Sequence, residues 1–115
     1  MTRSNEVALQ GSQQKYRVHP DVKRYTMRDN AFMETKNGNF QYERALSTKP
    51  GLKTAPKLKV TVSKDFTNLK MSSVAGNGIK KINLYANDQH EEARELAEFY
   101  LNAFVDEGIL EAVEG

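Results

Sequence analysis

The chain lacks cysteine and tryptophan, and only two of its 115 residues, His19 and His90, are histidines. The absence of cysteine excludes disulfides, thiolate nucleophiles and thiolate metal sites. No apolar run approaches the roughly 18 residues that a membrane-spanning helix needs, and no apolar segment follows the first residues. We therefore expect a cytoplasmic protein with neither a membrane anchor nor a secretory signal.

The sequence also lacks the spacings that mark common catalytic and metal sites. The two histidines stand apart from each other, and no paired aspartate motif accompanies them. Neither a nucleophile elbow nor a phosphate-binding P-loop occurs. We predict no metal and no cofactor, and the residues leave open whether the protein is an enzyme.

Apolar residues are present in modest number. Leucine, isoleucine, valine and phenylalanine make up 25 of the 115 residues, just above the roughly 20% below which chains tend to stay disordered. The net charge is only +2, and the length suits one domain. We predict a single α+β domain over residues 1–115, with strands within 5–85 and a helix at 89–107.

The small net charge conceals an uneven distribution. Residues 1–81 carry a balance of +10, whereas residues 82–115 carry −8 and contain Arg94 as their one basic residue. Such asymmetry occurs in nucleic-acid-binding proteins, but it also arises when a basic sheet complements an acidic helix within one domain. The second explanation is the simpler one.

The strongest strand signal is a hairpin around Asn37-Gly38, a dipeptide that favours a two-residue turn. Its strands are predicted at 32–36 and 39–44, with Met33 opposite Tyr42. A second hairpin is predicted from strands at 69–74 and 79–85, and shorter strands at 6–9, 15–18 and 58–62. Alternation of side chains places five residues of the first hairpin on its core face: Met33, Thr35, Phe40, Tyr42 and Arg44.

One helix is expected near the C-terminus. Asp88 can cap its start, Glu91 can complete a capping box, and Gly108 can end it in the left-handed conformation. Apolar side chains cover an arc of about 200° around this helix. Such a width suits a helix held between two sheets, or one that another subunit partly covers.

The densest group of candidate binding residues lies at 23–30, in a stretch that we expect to be non-helical. Guanidinium groups suit carboxylate or phosphate ligands, and a neighbouring carboxylate or amide can orient them. Arg44, on the core face of the hairpin, is expected to be half-buried and to pair with Asp29, Glu34 or a ligand carboxylate. The candidate ligand-binding residues are Arg24, Arg28, Asp29, Asn30 and Arg44. Structural ion pairs within a turn are the competing explanation.

From Tyr25-Thr26-Met27-Arg28-Asp29-Asn30 through the hairpin 34–44, the sequence resembles a family of short bacterial proteins with a domain of unknown function, whose label assigns them to amino acid metabolism. The strand 58–62, the Asn77-Gly78 turn and the acidic helix follow in the same order. The resemblance covers about Lys15 to Leu110. It implies an α+β fold in which two antiparallel sheets of about six to eight strands pack around a single C-terminal helix.

The resemblance further implies a distant fold relationship to bacterial S-adenosylmethionine decarboxylases and a link to cysteine or sulfur metabolism. Those enzymes form a pyruvoyl group by cleavage at a Glu-Ser bond and use a cysteine as proton donor. This chain contains neither, and its nearest dipeptide, Glu34-Thr35, falls in a hairpin strand. The decarboxylase chemistry is therefore not expected here.

Three functions remain open on the sequence. The first is binding of a small anionic or zwitterionic metabolite, or of a partner enzyme, through the candidate residues. The second is nucleic-acid binding by a lysine-rich sheet face, although few aromatic residues lie between the lysines. The third is a protein-interaction subunit. Under each of these functions, we expect the protein to be a monomer or a homodimer. The ligand, the reaction and the role of the lysine-rich loop 47–57 cannot be read from these residues.

Overall fold

The computed structural model describes residues 5–9, 11–12, 14–47, 55–75, 80–85 and 91–113. The predicted cap Asp88 and the body of the lysine-rich loop lie outside these ranges. Six strands and two helices are found within them. They are β1 (Lys15–Val18), α1 (Arg24–Asp29), β2 (Met33–Glu34), β3 (Phe40–Ala45), β4 (Lys57–Val62), β5 (Leu69–Val74), α2 (Glu91–Asp106) and β6 (Leu110–Val113).

The strands form two antiparallel sheets, which confirms the predicted fold class. One sheet has four strands in the order β2-β3-β4-β5, and the other pairs β1 with β6. The long helix α2 lies near the C-terminus, as expected. The short helix α1 was not expected, because the stretch at 23–30 was predicted to be non-helical. Its six residues are held by backbone bonds such as that from the Met27 N–H to the Lys23 carbonyl, at 3.3 Å.

The first hairpin is present, but its predicted register is wrong by one residue. The Thr35 N–H donates to the Asn39 carbonyl at 2.7 Å, and the Gly38 N–H donates to the Thr35 carbonyl at 2.9 Å. Gly38 has a φ of +86°, so the loop holds three residues and ends in the left-handed conformation. Met33 therefore lies opposite Gln41, on the outer face of the sheet, and is 74% exposed.

Two other predicted strands are shorter than expected. Val7 forms an isolated bridge with Tyr16, and the remainder of the segment 6–9 is not strand. In the second hairpin, β5 has its predicted bounds, whereas the predicted Asn77-Gly78 turn and residue 79 lie outside the described residues. Of the predicted strand 79–85, the described residues 80–85 form only a bridge between Val74 and Lys81. The Ile82 N–H still donates to the Ser73 carbonyl at 2.8 Å, which keeps this segment along the edge of β5.

One hydrophobic core joins the two sheets and α2. Strand β4 alternates as its sequence predicts: Leu58, Val60 and Val62 are fully buried, and the residues between them are partly exposed. The buried side of α2 packs into the same core through Ala93, Ala97, Leu101 and Phe104. No helix of the described ranges has the length and apolar character to cross a membrane.

Helix α2 ends at a glycine, as the sequence predicts. Gly108 has a φ of +77°, and its N–H donates to the Val105 carbonyl at 3.1 Å. The Ile109 N–H reaches back to the Phe104 carbonyl at 2.9 Å, and both side chains are buried. These bonds and the apolar contact form a Schellman motif, which turns the chain directly into β6.

Replacing Gly108 with alanine should lower the free energy of unfolding by about 1 kcal/mol, because an L side chain is strained at positive φ. A Cβ at this position would meet no atom within 4 Å, so the cost is conformational rather than steric. Urea denaturation measures it. Gly108→Asn is the matched control and should lose less, because asparagine tolerates this conformation better. Equal losses in the two variants would contradict this account.

Candidate functional site

Two of the predicted site residues meet on the exposed side of α1. Arg24 and Arg28 stand one helical turn apart, and both approach the same carboxylate oxygen of Glu34, at 4.0 and 3.3 Å. The two arginine side chains are 57% and 60% exposed. Arg24, Arg28 and Glu34 together carry a net charge of +1. Each guanidinium has five N–H donors, so both arginines retain donors that Glu34 does not use.

The other three predicted residues have different surroundings. Asn30 lies at the end of α1 and donates its amide to the Thr26 carbonyl at 2.9 Å, whereas Asp29 is exposed. Arg44 is exposed rather than half-buried, and no described acidic residue forms an ion pair with it. Its guanidinium carbon lies 4.4 Å from the ring centroid of Tyr100, and its hydrogen bond with the Tyr42 side chain raises its pKa. The predicted partners Asp29 and Glu34 are thus replaced by two tyrosines.

The residues with the most suitable geometry for a ligand lie elsewhere, around a cavity between α2 and β1. Its volume is about 190 Å³. It is lined by Leu9, Ser12, Gln14, Tyr16, Tyr85, Glu98, Leu101 and Asn102. The lining combines two aromatic rings, two aliphatic side chains, a carboxylate, a hydroxyl and two amides. Such a mixture of apolar walls and a few polar groups is typical of small-molecule sites.

Tyr85 contacts two opposite charges of α2, of which Glu98 lines the cavity and Arg94 does not. Its hydroxyl donates a hydrogen bond to a carboxylate oxygen of Glu98 at 2.9 Å. The guanidinium carbon of Arg94 lies over the same ring, 5.6 Å from its centroid. Arg94 and Glu98 stand one turn apart on α2, a spacing at which such charges often pair. They form no ion pair here, and each contacts a different part of Tyr85.

The phenols of the cavity are perturbed by their surroundings. Burial, and secondly the charge of Glu98, raises the pKa of Tyr16. Burial also raises the pKa of Tyr85, and its hydrogen bond to Glu98 acts in the same direction. Both phenols therefore stay protonated at neutral pH and can donate hydrogen bonds beside the carboxylate.

Sequence reasoning missed this site because its residues come from distant parts of the chain. Tyr16 belongs to β1, Tyr85 follows β5, and Glu98 belongs to α2. One signal was present: Arg94 is the only cation after residue 81 and stands four residues before Glu98. Within the described ranges, no three histidine or acidic side chains cluster closely enough to hold a metal ion.

Two further hollows lie along the four-stranded sheet, and neither is lined by a predicted site residue. The first, of about 140 Å³, lies beside Thr61, Ser63 and Lys70. The second, of about 200 Å³, lies at the edge of β5 beside Met71 and Ile82. Neither has a carboxylate in its lining, whereas the cavity between α2 and β1 has Glu98.

Comparisons with known proteins identify relatives over nearly the whole chain. The family described as "DUF1831: Putative amino acid metabolism" matches residues 1–111. A crystal structure at 1.20 Å resolution of a DUF1831 family protein from Lactobacillus plantarum is similar, with 38% sequence identity and a TM-score of 0.86. The similarity covers 98% of this chain and 99% of that one. A search of the curated proteins finds no significant match.

Replacing Tyr85 with phenylalanine should make stability less sensitive to alkaline pH. Since the folded state raises the pKa of Tyr85, it holds the phenolic proton more tightly than the unfolded chain, whose tyrosines titrate near pH 10. Stability from this proton is complete below about pH 10 and is lost as the pH rises through the folded pKa. Urea denaturation at about pH 9 and about pH 11 measures the loss.

The loss should be smaller in Tyr85→Phe than in the wild type, but not absent, because Tyr16 and Tyr42 also have raised pKa values. Tyr25→Phe provides the control, since this tyrosine is 67% exposed. If the wild type and Tyr85→Phe lose equal stability over this interval, the proton of Tyr85 is not held as described.

Proposed function

We propose that this chain, which belongs to the DUF1831 family, binds a small amino-acid-like zwitterion in the cavity beside Tyr85. The ammonium group of the ligand contacts Glu98 in the cavity lining, and its carboxylate extends past the ring of Tyr85 to Arg94, which lies outside that lining. The role is recognition of a metabolite, in keeping with the family's description, "Putative amino acid metabolism".

The observation that carries this proposal is the separation of Arg94 from Glu98. Their opposite charges lie one turn apart, and the ring and hydroxyl of Tyr85 keep them from pairing with each other. An α-amino acid also carries two opposite charges a few bonds apart. It can satisfy both side chains at once, whereas an amine or a carboxylate alone can satisfy only one.

The remaining lining suits the other parts of such a ligand. The rings of Tyr16 and Tyr85 offer faces that attract an ammonium group, in addition to the carboxylate of Glu98. Ser12 and Asn102 add a hydroxyl and an amide. Leu9 and Leu101 form an apolar wall, and a volume of about 190 Å³ limits the ligand to a small side chain.

A second site for an anionic metabolite or an acidic partner is supported by α1. Arg24 and Arg28 share one oxygen of Glu34 and remain more than half exposed, so a carboxylate or phosphate can approach the donors that Glu34 leaves unused. Asp29, Asn30 and Arg44, the other residues that the sequence predicts here, remain predictions. Asn30 already caps α1, and Arg44 already contacts two tyrosines.

Other statements drawn from the sequence also remain predictions. They include the fold relationship to S-adenosylmethionine decarboxylases, the cytoplasmic location and the alternative of nucleic-acid binding. For the last, the exposed sheet face is less basic than its lysines alone suggest, because Lys57 and Lys59 both lie 3.5 Å from carboxylate oxygens of Glu43.

Thermal unfolding in the presence of each standard L-amino acid tests the proposed function. We expect a subset to stabilise the wild type. A free ligand at about ten times its Kd contributes about 1.4 kcal/mol by linkage, which raises Tm by roughly 5 °C in a domain of this size. For each stabilising amino acid, the amine without the carboxylate and the acid without the ammonium should both stabilise less.

Four variants locate the binding site. Glu98→Gln and Arg94→Gln should abolish the stabilisation, whereas Glu95→Gln, on the exposed side of the same helix, should retain it. Arg28→Ala should also retain it. If Arg28→Ala lost the stabilisation by amino acids and Glu98→Gln retained it, the ligand would be assigned to α1 instead of the cavity. If no amino acid stabilises the wild type, the proposed function is wrong.

A further inference from the structure

The cavity between α2 and β1 has two hydrogen-bond acceptors in its lining that no described residue fully satisfies. The first is Glu98, the one charged side chain of the lining and an acceptor only. One of its carboxylate oxygens accepts from the Tyr85 hydroxyl at 2.9 Å. Its second oxygen, with the remaining lone pairs of the first, is left for a donor on a ligand.

Gln14 supplies the second acceptor. Its side-chain nitrogen donates to two backbone carbonyls, that of Lys15 at 2.9 Å and that of Val113 at 3.2 Å. These carbonyls fix the orientation of the amide, because the opposite orientation would bring its oxygen against two other oxygens. Both amide hydrogens are thereby used, and no described residue donates to the amide oxygen. The polar atom that Gln14 can offer to a ligand is therefore an acceptor.

Ser12 is occupied by contacts with its neighbours in the lining. Its Oγ accepts from the Gln14 backbone N–H at 3.2 Å, and its side chain forms a hydrogen bond with that of Tyr85. Ser12 thus connects Gln14 with Tyr85, and it adds no unused hydroxyl proton that would attract an anionic group. Among the polar lining residues, Asn102 alone has an amide that can serve either as donor or as acceptor.

The charge around the cavity favours a ligand with a net positive charge. Helix α2 contains five acidic residues and one arginine, a net charge of −4. The lining itself contains no cation, since Lys15 adjoins Gln14 in the chain but is not part of it. The ring faces of Tyr16 and Tyr85 attract cations as well. This field draws a cationic amino acid to the cavity more strongly than a neutral one, and it repels an acidic one.

We propose that the amino acid bound in this cavity is a diamino acid with a short methylene chain, an inference that rests on the proposed zwitterion site. Its α-ammonium contacts Glu98, and its side-chain ammonium contacts the amide oxygen of Gln14. The methylenes between them lie against Leu9 and Leu101. Gln14 is exposed, so the second ammonium retains part of its hydration, which reduces the cost of removing a charge from water.

Isothermal titration calorimetry with three matched amino acids tests the inference. L-ornithine, L-norvaline and L-glutamate share a five-carbon chain that ends in an ammonium, a methyl and a carboxylate group. We expect the wild type to bind ornithine at least about tenfold more tightly than norvaline, because a hydrogen bond from a charged donor is added. Glutamate should bind most weakly of the three.

Gln14→Met tests the assigned acceptor, since it keeps the length and neutrality of the side chain and removes the amide oxygen. This variant should bind ornithine about tenfold more weakly than the wild type does, and norvaline with unchanged affinity. Gln41→Met is the matched control, because Gln41 is an exposed glutamine on the outer face of the four-stranded sheet. It should bind both amino acids as the wild type does. Circular dichroism of each variant establishes that it is folded.

Different results would contradict the inference and the proposed function. Equal affinity of the wild type for ornithine and norvaline would overturn the inference and leave the zwitterion site standing. An ornithine preference that Gln14→Met retains would assign the preference to the charge of α2 and would also overturn it. If 1,4-diaminobutane bound as tightly as ornithine, or if no amino acid bound, the proposed function would be wrong and the inference with it.

Discussion

The proposed ligand site depends on the position of one tyrosine ring between two opposite charges on a helix. Tyr85 donates its hydroxyl proton to Glu98 and offers its ring face to Arg94, so the two charges do not neutralise each other. If they paired directly, the helix would gain at most a few tenths of a kcal/mol, as exposed pairs at this spacing do. Because they are kept apart, each charge remains available to a ligand that carries the opposite one.

Several parts of the fold position the elements that surround Tyr85 and α2. The Schellman motif at Gly108 turns the chain from α2 into β6, and β6 pairs with β1. That pairing holds β1 beside the helix and brings Tyr16 into the cavity lining. Another side of α2 carries Phe99, which is exposed and takes no part in the core.

Local signals in the sequence predict much of the fold but little of the site. The alternation in β4 and the glycine end of α2 are confirmed because each depends on neighbouring residues alone. The hairpin register is wrong because the loop takes three residues instead of two, a choice that leaves Met33 outside the core. The density of arginines in the sequence identified the cluster at 23–30, but it did not predict that this stretch forms a helix. The cavity was not predicted, because β1, the segment after β5 and α2 meet only in the folded chain.

The most direct test of this account is nuclear magnetic resonance of labelled protein during titration with a stabilising L-amino acid. The side-chain carboxyl signal of Glu98 and the guanidinium Nε signal of Arg94 report the two charges separately. We predict that both shift with one dissociation constant while the Nε signal of Arg28 stays unchanged. Shifts confined to Arg24 and Arg28, with Glu98 and Arg94 unmoved, would contradict the account.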